Sequence, residues 1–228
     1  MGKSGALALG ATAALVALHA VLVARMAERR RRESEVITIT MPEWTNSFLQ
    51  SLKDKEFTTD EEMMKVAIDL AKYNVIENTG GPFGCAIFET DKATGKSKIF
   101  SVGVNRVTTL NNSTLHGEIV AIQFAQKKLQ TFALKDRTGA KEYSLFTSCE
   151  PCAMCLGGTF WSGVSRMVCA ATKADAEAIG FDEGPVFPES YTALEKAGIT
   201  VRRNVLRDDG AKVLQMYGET GIIYNGQD

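Results

Sequence analysis

Apolar residues recur at helical spacing through Met64, Ala67, Ile68, Ala71 and Val75. Thr59 and Glu62 stand just ahead of them at capping-box spacing, so a helix is predicted over about 60–77. The period then changes. Two short runs, Cys85–Thr90 and Lys98–Val104, flank the polar turn DKATGK and predict an antiparallel hairpin, entered through the tight glycine-rich turn GGPFG at 80–84. A loop bearing Asn105, Asn111 and Asn112 comes next. Ile119, Ile122 and Phe124 then give a helix over 117–130. Tyr143–Thr147 predicts a strand, Cys152 to Trp161 a helix opening just after Pro151, and Arg166–Ala171 another strand. Helices over 173–179 and 188–197, a strand over Ile199–Asn204 and a helix over 207–218 complete the series. Single strands alternating with helices after an initial hairpin predict a mixed sheet with helices on both faces.

The N-terminal segment fits neither pattern. Residues 4–24 are 21 uncharged residues in succession, with Arg25 and Arg29–Arg32 immediately after them. That is about the 20 residues a bilayer core needs, and flanking arginines place the rest of the chain on the cytoplasmic side. Residues 1–33 are therefore expected to be a hydrophobic helical segment serving as a membrane anchor. An organelle-targeting segment, or a dispensable extension ahead of a folded part starting at Met41, are the alternatives. Residues 34–58 read as a linker or docking segment with Trp44, Phe48 and Leu49, and 59–228 as the folded domain.

Charge narrows the partners. Residues 1–40 hold six basic and three acidic groups, which leaves 20 basic and 24 acidic in 41–228. A mildly acidic body disfavours nucleic acid as a partner. The five cysteines are odd in number, and Cys149, Cys152 and Cys155 lie within seven residues. This is no disulfide framework; it points to metal or thiolate chemistry in a reducing compartment.

His116, Cys152 and Cys155 have the chemistry of zinc ligands. The two thiols stand three apart at a predicted helix start, where the positive end of the helix dipole favours thiolates. Three protein ligands leave one coordination position for water, as in catalytic zinc sites. Cys149 is a candidate fourth ligand, separated from Cys152 by Glu150 and Pro151. Glu118, two residues after His116, can reach a water at the open position without ligating the metal and can move its protons. HGE at 116–118 with PCAMC at 151–155 matches the H-x-E…P-C-x-x-C arrangement of zinc deaminases.

GGPFG at 80–84, GVN at 103–105, HGE at 116–118, TSCEPCAMCLGG at 147–158, Trp161 and AIGFDEG at 178–184 extend that match. On these residues the chain resembles the cytidine deaminase-like superfamily, and within it the guanine and related nucleoside deaminases. The resemblance implies a three-layer α-β-α fold around a mixed five-stranded sheet, a bound Zn2+ and a homodimer. It implies hydrolytic deamination of a purine base or nucleoside, guanine-type first, with release of ammonia. Asn105 would bond the purine or its sugar, Phe83 and Trp161 would sandwich the ring, and Glu183 would share proton transfer with Glu118. Two positions depart from the pattern: Gly117 replaces the usual alanine, and Glu183 comes after Gly180-Phe181-Asp182 with a longer reach than aspartate. The tail from Pro185 onward is less similar, and in the family the tail often closes the active site. Adenosine deaminases acting on tRNA are the alternative, disfavoured by the Thr-Ser-Cys-Glu-Pro-Cys run at 147–152 and by the acidic body. A non-catalytic zinc-binding partner subunit is a further alternative, which the presence of Glu118 argues against.

Overall fold

The computed structural model describes residues 16–29 and 36–226. The chain divides into two compact units, residues 1–40 and 41–228. In the first, residues 16–29 form helix α1. Residues 4–15 of the predicted apolar segment and Arg30–Arg32 lie outside the described residues. No described helix is long and apolar enough to cross a membrane. The anchor expected of residues 4–24 thus gains no support from the part that is described.

The second unit runs α2 (Trp44–Ser51), α3 (Asp60–Ile76), β1 (Gly84–Asp91), β2 (Ser97–Val104), α4 (Val107–Leu110), α5 (Gly117–Leu129), β3 (Lys141–Cys149), α6 (Ala153–Ser162), β4 (Arg166–Ala171), α7 (Lys173–Glu177), α8 (Pro188–Lys196), β5 (Thr200–Arg202) and α9 (Arg207–Thr220). The capping box of α3 forms as predicted, with Thr59 accepting from the Glu62 N–H and Glu62 reaching back. Helix α2 falls within the stretch expected to be a linker or docking segment. Its Trp44 and Phe48 pack on Tyr73 of α3, each with ring centroids 5.8 Å away. Such a helix is fixed by tertiary contact, and an eight-residue pattern carries little signal of its own.

The five strands form one mixed sheet in the order β2-β1-β3-β4-β5. β1 pairs antiparallel with β2 and β3, whereas β3–β4 and β4–β5 are parallel. Alternate residues of each strand go to opposite faces. Ala86, Phe88, Phe146, Val168 and Ala170 join the core built with Met64 and Leu70 of α3 and Val213 of α9. Cys85, Ile87, Leu145, Met167 and Cys169 join the opposite core, with Ala121 and Ile122 of α5, Leu156 of α6 and Leu194 of α8. Burial on both faces explains why the strands read as near-continuous apolar runs.

Two contacts position the layers. Buried Asp60, at the start of α3, pairs with Arg166 on β4 and Arg202 on β5. On the other face α5 lies close against β2 at Gly103. A Cβ at Gly103 would stand 2.1 Å from the Gly117 carbonyl oxygen and 2.4 Å from the Ala121 nitrogen. Gly103→Ala would therefore push away the helix that starts just after His116. It is expected to cost about 2–3 kcal/mol in urea denaturation and to lower the zinc retained after purification. Wild-type stability and metal content in this variant would contradict that packing.

Candidate metal centre and catalytic cavity

The strand register gathers the site at one end of the sheet. Cys85 at the start of β1 faces Gly103 near the end of β2 on one side and Thr147 near the end of β3 on the other. β4 runs parallel to β3, and Cys149 pairs with Ala171 at their common end. Each of these strands delivers a functional segment there. β2 leads to Asn105 and then to His116 at the start of α5. β3 leads through Glu150 and Pro151 to Cys152 at the start of α6. β4 leads through α7 to Glu183.

The His116 Nδ1 and Cys152 Sγ atoms lie 3.4 Å apart. With Cys155 Sγ, all three donor atoms lie within 4.8 Å of one another. Two such ligands on one tetrahedral zinc, with Zn–S near 2.3 Å and Zn–N near 2.0 Å, would stand about 3.5 Å apart. The donor set therefore fits zinc in both chemistry and spacing. Cys149 stands apart from this group: its Sγ donates to the Thr172 carbonyl at 3.5 Å.

The electrostatics of the metal-free site are those of anions brought together out of water. A hydrogen bond from Cys155, with His116 alongside, holds the Cys152 thiol down at about 4, while burial pushes Cys155 well up. Burial pulls His116 down, but the Cys152 sulfur and the Glu118 and Glu183 carboxylates outweigh it and hold the imidazole above its usual value. Burial, and then the negative Cys152, push the Glu118 carboxyl up. Thr147 fixes that carboxyl in place, its hydroxyl donating to Oε1 at 3.1 Å.

His116, Glu118, Cys152 and Glu183 line a cavity of about 380 Å³ with Phe83 and Asn105. Six of the eight residues expected at the site are thus on one cavity wall. Cys155 sits beneath it, fully buried and within the donor group. Trp161 is not brought in: it is 78% exposed on α6 and does not line the cavity. The sandwich expected of Phe83 and Trp161 is therefore absent within one chain. Phe83 packs edge-on against Phe181 instead, at 5.0 Å between centroids.

Three participants escaped the sequence reading. Thr147 has no motif of its own beyond the run that contains it. Tyr224 comes from the tail and donates its hydroxyl to Asn105 Oδ1 at 2.8 Å, with its ring against Phe181. Asn225 accepts from the Asp182 N–H at 2.9 Å, and Tyr224, Asn225 and Gly226 all line the cavity. The family's habit of closing the site with the tail was the one available signal for these. Glu150, buried between Arg203 and the Lys173 N–H, also lines the cavity and ties the Cys152 loop to α7.

Comparison with known proteins agrees with this geometry. The family model for the cytidine and deoxycytidylate deaminase zinc-binding region matches residues 57–171. A guanine deaminase of Bacillus subtilis is 38% identical over 129 residues, 57% of this chain and 75% of the relative. A tRNA-specific adenosine deaminase of Buchnera aphidicola is 28% identical over 158 residues, covering 69% of this chain and 93% of the relative. Among solved structures, the guanine deaminase from Nitrosomonas europaea superposes with a TM-score of 0.70 at 36% identity, over 81% of this chain and 97% of that one. The structure of NE0047 in complex with 2,6-diaminopurine gives 0.72 at 36% identity, over 86% and 100%. With its His-Cys-Cys donor group and the adjacent glutamate, the chain belongs to the cytidine and deoxycytidylate deaminase zinc-binding family.

Proposed function

We propose that this deaminase acts on a free purine base or its nucleoside, guanine first, replacing a ring amino group by oxygen and releasing ammonia. The observation that carries this reading is the cavity itself. It gathers His116 and Cys152, both carboxylates, Phe83 and Asn105 around about 380 Å³, and the tail from Tyr224 to Gly226 forms part of its wall. That volume suits a single ring system. A flipped base of a nucleic acid would fit as well, and it is the acidic body that favours the free base or nucleoside over tRNA.

Asn105 bears on which ring is bound. Its Oδ1 already accepts from the Val107 N–H at 3.2 Å and from Tyr224. What it offers a ligand is therefore its amide N–H, a donor suited to a ring carbonyl or unprotonated ring nitrogen. Phe83, backed by Phe181, supplies an apolar wall for the ring. Trp161 enters the reading through the homodimer that the resemblance implies, since Met154, Phe160 and Trp161 leave an exposed apolar surface on α6.

His116, Cys152 and Cys155 would hold zinc, which supplies a water of lowered pKa when bound. Glu118 takes one proton from the attacking water and gives it to the ring nitrogen, then carries the second, from the hydroxyl now on the ring carbon, to the amine that leaves as ammonia. Its raised pKa suits a group that must both accept and return a proton. Glu183, pushed up to about 8 in the metal-free protein by burial and then by the nearby Cys152 and Glu118, is a second carboxyl on the cavity wall that can exchange a proton with the ring.

Turnover and metal content test these roles together. With the zinc-loaded full chain, guanine is expected to release ammonia, and Glu118→Gln is expected to keep one zinc per chain yet lose about 10²–10⁴ in kcat. Near-normal turnover in that variant would overturn the role of Glu118; ammonia only from a tRNA anticodon stem-loop would overturn the substrate.

A second prediction concerns pH. The Glu183 carboxyl rises from 4.5 to about 8, so the folded metal-free protein binds the extra proton between these values. Its stabilising contribution is complete below the lower pKa and is lost as pH rises through the upper one. Urea denaturation of the metal-free protein should therefore show a steeper loss between about pH 5.5 and 8.5 for wild type than for Glu183→Gln. Parallel profiles would contradict the raised pKa.

A further inference from the structure

We infer that Asn74 is a positioning residue for the substrate site, locked in place by Trp44 from a helix outside the family-matched region. The inference rests on the proposed purine reading and deepens it, since it concerns the segments that carry Phe83 and Asn105.

Asn74 lies on α3 and is fully buried. A buried amide in an apolar helix face is costly unless its groups are paired. Here they are. Asn74 Nδ2 donates to the Gly81 carbonyl at 2.8 Å and to the Asn105 carbonyl at 3.0 Å. Its Oδ1 accepts from the Thr79 hydroxyl at 2.8 Å, and its own carbonyl accepts the Thr79 N–H at 2.9 Å. The Thr79 hydroxyl in turn accepts the Trp44 indole N–H at 3.0 Å. The Thr79 carbonyl accepts from the Arg106 guanidinium and from the Thr109 hydroxyl. Indole, hydroxyl and amide thus donate in one direction, toward the two carbonyls, and such aligned bonds reinforce one another.

The two carbonyls belong to the segments that shape the cavity. The glycine-rich turn carries Phe83, and the Asn105 N–H donates to the Phe83 carbonyl at 3.0 Å. Asn74 therefore clamps the turn to Asn105 from below. The turn comes so near that a Cβ at Gly80 would stand 2.0 Å from the Asn105 carbonyl oxygen and 2.7 Å from Asn74 Nδ2. None of the Asn74 bonds goes to His116, Glu118, Cys152 or Cys155. Loss of Asn74 should consequently loosen the hold on the ring and leave the metal and proton transfer in place. In steady-state terms the effect belongs in KM, not in kcat.

The variants are chosen by strength. Asn74→Asp keeps the shape but sets a carboxylate oxygen against two carbonyl oxygens. Trp44→Phe removes one donor and keeps most of the packing. Asp60→Asn serves as a control, because it weakens the clamp of α3 on β4 and β5 far from the turn. Zinc content, Tm and guanine kinetics are measured on the full chain. Expected are a KM rise of about tenfold or more for Asn74→Asp and about threefold for Trp44→Phe, with kcat and zinc near wild type. Asp60→Asn should lower Tm and leave KM unchanged. If Asn74→Asp does not fold, Trp44→Phe carries the test alone. Wild-type KM in Trp44→Phe, a loss confined to kcat, or an equal KM rise in Asp60→Asn would overturn the inference. Failure of the purine reading looks different: wild type itself then releases no ammonia from guanine, and the same comparison is made on whichever aminated ring it does use.

Discussion

His116 and Cys152 begin two different helices, 36 residues apart in sequence, yet their donor atoms lie within 3.4 Å. The sheet makes this so. β1 is hydrogen-bonded between β2 and β3, so the strand that leads to His116 and the strand that leads to Cys152 end side by side. Helix starts at that edge offer unpaired N–H groups and the positive end of each dipole, which suit thiolates and carboxylates. A helix displaced from β2 would carry His116 and Glu118 away together. The absence of a side chain at Gly103 is thus as much a part of the site as the ligands.

The same convergence carries an electrostatic cost. Two thiols, Glu118 and Glu183 are drawn into one partly dry cavity, and in the metal-free protein their pKa values separate to relieve it. Cys152 goes down; Cys155, Glu118 and Glu183 go up. Groups so divided are what acid–base chemistry needs, because one set holds negative charge while another holds protons. A divalent cation at the donor group answers the excess negative charge. It also links folding to metal binding, since the ligands gather only once the sheet has formed.

Much of this was legible in the sequence. The strand and helix order comes from the period of apolar residues, and the donor group with its glutamate comes from the paired motif. The rest was not. Trp44 and Phe48 were expected as docking residues, but the helix α2 that carries them and their partner Tyr73 were not, because a contact between segments leaves no local pattern. Trp161 was placed at the ring by resemblance; within one chain α6 turns Cys155 inward and leaves Trp161 on the surface, so its part at the ring rests on the proposed dimer. Tyr224 and Asn74 were invisible for a common reason. Each matters through side-chain hydrogen bonds that end on the Asn105 segment, 31 residues from Asn74 and 119 from Tyr224, and such bonds leave no periodicity.

The chemistry depends on His116, Cys152 and Cys155 holding one zinc with a position left open. X-ray absorption on the zinc-loaded full chain tests this most directly. The expected result is a first shell of two sulfurs near 2.3 Å and two lighter atoms near 2.0 Å, one of them the imidazole nitrogen. A shell of three sulfurs and one nitrogen would mean that Cys149 leaves Thr172 to close the site, and a closed site has no place for the water on which the reaction depends.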